Sequence, residues 1–115
     1  MLSKKSTPCP ISHTLSIVGG KWKILVLQRL MHYGILRYKE LERTIPQITP
    51  KMLVRTLKSL EMEGLLVRKE RQTPPMGVEY TITTAGQTLM PIIEEMSNWG
   101  ILHLNALSDN DTQAL

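Results

Sequence analysis

Cations stand at positions 51, 55 and 58 of this sequence, a spacing of four and three that gathers them on one side of a helix. With Lys51 at zero and about 100° per residue, Arg55 falls at about +40° and Lys58 at about −20°. Leu53, Leu57 and Leu60 fall at about 200°, 240° and 180°, on the opposite side. Such a helix buries its leucines and presents its cations. The residues leave two readings open, a solvated amphipathic face or a surface for a polyanion. Thr49-Pro50 precedes the stripe, and threonine is a good N-cap and proline a good first helical residue. Lys51 therefore sits where free amides and the helix dipole attract phosphate. Glu61 and Glu63 come only at the far end. On the polyanion reading, Thr49, Lys51 and Lys58 contact phosphates, and Arg55 meets a guanine edge through its forked guanidinium.

Two further cation sets bear on the same choice. Arg68, Lys69 and Arg71 lie beside a loop containing Pro74, Pro75 and Gly77. They are either a charged strand edge that discourages aggregation or a second set of backbone contacts. Arg37, opening another short helix, is a further phosphate candidate. The charge is also uneven. All fourteen Lys and Arg lie between Lys4 and Arg71, against five carboxylates in the same stretch. Beyond Gln72 there are no cations and five carboxylates. This division suits a basic surface with an acidic tail kept away from it.

Cys9 is the only cysteine and precedes Pro10 at a predicted helix start. A helix N-terminus and the nearby Lys4 and Lys5 would stabilise a thiolate. The plainer reading is a small apolar side chain packed at an interface. One thiol excludes an intrachain disulfide and fits a reducing cytoplasm. His13, His32 and His103 show no ligand spacing, so neither metal nor cofactor is expected. No nucleophile–base pair and no glycine-rich phosphate loop is visible, so an enzyme is not expected.

The elements that must hold these groups follow from pattern. A chain of 115 residues with 42% hydrophobic residues makes one domain with a real core. No apolar run is long enough for a membrane span, and no signal peptide follows Lys4 and Lys5. Helices are predicted from Pro10 to the glycine pair 19–20, over 21–32, over 37–44 and over 49–63 with Gly64 as its stop. Two extended stretches, 66–72 and 78–83, form a hairpin; in the second, Val78, Tyr80 and Ile82 alternate with Glu79, Thr81 and Thr83. Thr84 with Gln87 reads as a capping box for a last helix, with Pro91 kinking or splitting it. Leu89, Ile92, Ile93, Met96 and Trp99 form its apolar stripe, read either as closing the monomer core or as a dimer face. Residues 1–8 are expected to be a flexible arm, 9–107 the domain and 108–115 a flexible tail. A tight helix pair followed by a hairpin is the plan of a winged helix-turn-helix, an α+β and mainly helical fold that puts the second helix of the pair in a DNA major groove.

Seven short stretches, in order, resemble the HxlR-type regulators: Cys9-Pro10, Gly19-Gly20-Lys21-Trp22, 37–41, 48–53, 57–65, 74–80, and Leu89-Met90-Pro91 through Trp99-Gly100. The resemblance spans about residues 9–100. Tyr38 stands where the family usually has phenylalanine, and Gly77 where a larger or basic residue is common. The resemblance implies a bacterial, homodimeric, DNA-binding regulator, with Leu15 of the first helix and Leu89, Ile92, Ile93, Met96 and Trp99 of the last at the dimer interface. It also implies that Cys9 senses electrophiles or oxidants, through thiolate attack or a disulfide across the dimer, in a protein acting as a repressor. Two rival readings are a MarR-like regulator holding a small aromatic between domain and dimer helices, and a winged helix that binds protein.

Overall fold

The computed structural model describes residues 9–113, with side chains through Asp109. The expected arm at 1–8 lies outside the described residues. The order is α1 (Pro10–Val18), α2 (Trp22–Tyr33), β1 (Leu36–Arg37), α3 (Tyr38–Thr44), α4 (Pro50–Met62), β2 (Leu66–Arg71), β3 (Gly77–Ile82), α5 (Thr84–Gln87) and α6 (Met90–Gln113). This is a winged helix: three helices around a core, the α3–α4 pair, and a hairpin folded back onto it.

α2 is apolar on most sides and becomes the central pillar. Its Val26, Leu27 and Leu30 are fully buried, in one cluster with Leu41 of α3 and Leu53, Leu57 and Leu60 of α4. Ile45 and Ile48 plug the short α3–α4 link from below. Arg29 of α2 donates from Nε to the Thr44 carbonyl at 3.1 Å, satisfying an open C-terminal acceptor of α3 with a cation. α4 ends as its sequence requires. Gly64 takes φ 76°, and Leu65 N donates to the Leu60 carbonyl at 2.9 Å, the 6→1 bond of a Schellman stop.

The sheet is three-stranded and antiparallel, in the order β1-β3-β2. β1 was not expected. Its two residues pair Leu36 with Tyr80 and Arg37 with Glu79, and two residues carry no alternation for a sequence reading to find. β2 and β3 pair from Leu66–Ile82 out to Arg71–Gly77. Tyr80 is buried, with Val78 and Ile82 packed against the core, so the predicted alternation holds.

The last helix differs from expectation at its cap and at its far end, while its split is one of the two outcomes expected of Pro91. Thr83, not Thr84, is the cap: its hydroxyl accepts from Gly86 N at 3.0 Å and donates to the Gly64 carbonyl at 2.6 Å. One hydroxyl thus starts a helix and ties the hairpin's exit to its entry. The helix is also split, into the single turn α5 and the long α6, with Pro91 the second residue of α6, where its missing N–H costs no helical bond. Finally, α6 continues to Gln113, through the stretch expected to be a flexible tail from 108. No glycine or proline occurs between Gly100 and Gln113 to stop propagation.

Gly86 is buried, and a Cβ there would overlap the Leu65 carbonyl and the Ile82 side chain. Gly86→Ala is therefore expected to destabilise the fold by about 1–3 kcal/mol, the usual range for overpacking. Urea denaturation should show a lower midpoint with an unchanged slope.

Candidate nucleic-acid interface

The cationic stripe is built by a helix whose start is capped by Thr49. Thr49 has extended backbone, φ −80° and ψ 155°, and its hydroxyl oxygen accepts from Met52 N at 3.1 Å. Its proton remains available to an outside acceptor. Pro50 occupies the first helical position, and the first turn holds no carboxylate. Leu53, Leu57 and Leu60 are buried, while Lys51, Arg55 and Lys58 are exposed. None of these cations has a hydrogen bond or ion pair among the described residues. The far end of α4 is different: Glu63 is bound by Lys23 of α2 at 2.8 Å, and Lys23 also donates to the Ser16 carbonyl of α1 at 3.3 Å.

The expected wing cations separate into three kinds. Lys69 is exposed and unpartnered among the described residues. Arg68 makes only a long 3.5 Å contact with Glu70, a surface pair of little worth. Arg71 turns back on Glu79 of β3 at 3.2 Å and is half-buried, its Nε without a partner. Lys58 and Arg68 line one groove between α4 and the sheet, with Tyr38 and Tyr80 beneath them.

Arg37 has a task that its sequence position does not reveal. Its guanidinium donates to the Pro75 carbonyl at 2.9 Å and the Met76 carbonyl at 3.4 Å. It straps the wing loop to the start of α3. Its backbone N–H is held in turn by Glu40 Oε1 at 2.7 Å. Lys39 and Arg43 line the same recess as this strap. They were not singled out from the sequence, although their spacing of four on α3 puts them on one face. Tyr38 donates its hydroxyl to the Pro50 carbonyl at 3.3 Å, so the departure from phenylalanine adds a contact between α3 and α4. Burial chiefly, then the charge of Glu42 and Tyr80 nearby, raises the Tyr38 pKa, so the phenol keeps its proton.

Cys9 is the N-cap residue of α1 and is exposed. The Ser12 amide chiefly, then the Ile11 amide and the Ser12 side chain, hold its thiol below the ordinary value. These amides face the sulfur without closing a regular side-chain cap. Leu15 on α1 and Ile92, Met96 and Trp99 on α6 are exposed, Trp99 by 65%. Ile93 is corrected: it is 7% exposed and belongs to the monomer core, and Leu89 packs against that core. The break before α6 turns this part of the stripe inward. Among the described residues, no group of three or more His, Cys, Asp or Glu could hold a metal, and no helix is long and apolar enough to cross a membrane.

The lowered thiol pKa has a direct readout. Alkylation of Cys9 by iodoacetamide should reach half its maximal rate at a pH below about 8.5, the free-cysteine value. Unfolding in urea removes the helix amides and should return the midpoint to that value. Equal midpoints would show that the amides do not act on the sulfur.

Comparison with known proteins places the chain in a family. The family model described as HxlR-like helix-turn-helix matches residues 17–108. The chain is similar to YdzF, a helix-turn-helix transcriptional regulator of Bacillus subtilis (strain 168), at 43% identity over 97 residues, covering 84% of this chain and 89% of YdzF. Among solved structures it resembles the redox regulator HypR in its reduced form, with TM-score 0.80, 36% identity, and coverage of 88% of this chain and 99% of that one. It also resembles the reduced form of the B. subtilis transcriptional regulator YodB, with TM-score 0.73, 36% identity, and coverage of 81% and 91%. With the winged fold and the outward cations of α4, these matches make the chain a member of the HxlR-like helix-turn-helix family of transcriptional regulators.

Proposed function

We propose that this chain is a homodimeric repressor that reads duplex DNA with α4 and responds to oxidants or electrophiles through Cys9. The observation that carries the DNA reading is the unpartnered stripe of Lys51, Arg55 and Lys58 on a capped helix with no carboxylate in its first turn. Thr49, Lys51 and Lys58 hold phosphates at the groove edge, and Arg55 reads a base. Lys69 and Arg68 carry the wing's share of backbone contact, with Arg71 oriented by Glu79. Arg37 positions the wing loop through two of its five N–H donors, bonded to Pro75 and Met76, and its remaining donors and charge serve a nearby phosphate.

The dimer reading is supported by surface. Leu15, Ile92, Met96 and Trp99, with Leu102 at 69% exposed, leave a large apolar area open on α1 and α6, more than a monomer usually keeps. α6 alone is about 36 Å long, and the chain's radius of gyration is 17.6 Å, against about 13 Å for a compact chain of this length. A two-fold dimer would present two copies of α4 about 34 Å apart to successive major grooves.

The thiol reading is supported by the lowered pKa and exposure of Cys9 and by the similarity to redox regulators. With a quinone, the thiolate adds to a ring carbon, forming a C–S bond; one quinone oxygen takes a proton from solvent and the other takes the proton lost from the attacked carbon, leaving a thioether-substituted hydroquinone. With diamide, Cys9 and the partner's Cys9 lose two electrons and two protons to form a disulfide, and the diazene becomes a hydrazine.

The test is fluorescence anisotropy with the DNA upstream of the chain's own gene. Binding should weaken as salt rises, fall on diamide treatment, and keep its strength in treated Cys9→Ser. Arg55→Ala should lose about 1–3 kcal/mol on the specific site and relax the choice at one base pair. Lys51→Ala should reduce the salt slope by about one, and Arg37→Ala should weaken every sequence and reduce the slope likewise. Trp99→Glu should sediment as a monomer and lose operator binding. Absence of binding to any duplex at low salt sinks the reading, and binding indifferent to diamide returns Cys9 to a packing role.

A further inference from the structure

A recess of about 490 Å³ lies between α2 and α6 and shares no residue with the cationic face. Met31, Met90 and Ile93 supply apolar surface within it, and Gln28, His32 and Glu94 supply polar groups. No lysine or arginine lines it, for two separate reasons. α6 belongs to the stretch without cations. Of the cations within α2, Lys23 is engaged with Glu63 and Ser16, and Arg29 is held by the Thr44 carbonyl and, at 3.0 Å, by Gln28, itself a lining residue. Glu95 also lines the recess and is held by Asn98 at 3.2 Å, but Glu94 has no partner among the described residues.

We propose that this recess is an effector site for a small organic cation with an apolar body, of the lipophilic ammonium or phosphonium class. The body lies against Met31, Met90 and Ile93, and the charge faces Glu94. The lining sets three apolar side chains beside six polar ones, so the apolar residues supply contact area and the polar groups fix orientation and specificity. Here those groups bias the sign of the ligand, because an anion would meet two carboxylates, and the guanidinium of Arg29 beside Gln28 is already bonded to Thr44 and Gln28. The position supplies the consequence. α2 packs on α4 and on α6, so a ligand wedged between α2 and α6 changes how the reading head sits on the long helix. The effector role rests on the homodimeric DNA-binding reading; the binding itself does not.

The test is calorimetry of the full chain with tetraphenylphosphonium and with tetraphenylborate, which share a shape and differ in sign. The phosphonium is expected to saturate one site per chain. Glu94→Gln should weaken it about two- to fivefold, the range for a solvent-exposed charge pair, and Ser97→Trp, which places a large side chain in the lining, should abolish it. No saturable binding of the phosphonium overturns the site, as does binding unchanged in both variants or borate competing for the same place. In a parallel arm, the phosphonium should shift operator affinity in the unmodified chain and leave Ser97→Trp unmoved. Binding without that shift overturns the effector role. A chain that binds no DNA even without the probe fails as a DNA reader, and calorimetry still decides the site.

Discussion

Leu53, Leu57 and Leu60 leave water together against Val26, Leu27 and Leu30 of α2, and that burial orients everything functional in the molecule. Each such side chain contributes about 1.5–3 kcal/mol when fully buried, so the rotation of α4 about its own axis is held firmly. Because the leucines and the cations occupy opposite sides of the same helix, burying one set exposes the other. The presentation of Lys51, Arg55 and Lys58 is thus a consequence of packing and needs no separate device. Thr49 and Gly64 bound the helix, so its length is as well defined as its rotation.

The rest of the head keeps the hairpin beside that helix. β1 is only two residues long, yet it anchors β3 to the α3 side of the domain. Its second residue, Arg37, makes the strap to Pro75 and Met76, and Tyr38 bonds to the start of α4. Three consecutive residues, Leu36, Arg37 and Tyr38, therefore join the core, the wing and the reading helix. Thr83 and Gly86 do the same at the other end of the hairpin, where a single hydroxyl and a missing Cβ allow the chain to pass close to Leu65.

α6 has a double character that follows from the break at Thr88–Leu89. Its first turn is part of the domain through Ile93, and its remainder carries apolar side chains out into solvent. The inward side meets α2 and leaves the acidic recess; the outward side leaves Met96 and Trp99 uncovered. The two sides put the recess and the exposed apolar stripe on one helix.

Much of this was legible in the residues, and the reason is that it depended on local chemistry or strong periodicity. The stripe on α4, its threonine cap and glycine stop, the alternation of Val78, Tyr80 and Ile82, and the charge division at Arg71 are all properties of neighbours along the chain. What pattern could not decide was where long-range partners would fall. Arg37 looks like any cation at a helix start until the wing loop folds back onto it. Thr83 and Thr84 are equivalent caps until Gly64 offers its carbonyl to one of them. Ile93 belongs to the same stripe as Ile92 and Met96 until the break before α6 turns it into the core. The recess arises from two segments some sixty residues apart, and the absence of cations in it depends on where Lys23 and Arg29 find their acceptors. The sequence by itself determined which faces are apolar and which are charged, because side-chain period is a local property. Only the tertiary structure decided which charges stay free to act, because a charge is spent or spared by the partner that folding brings to it.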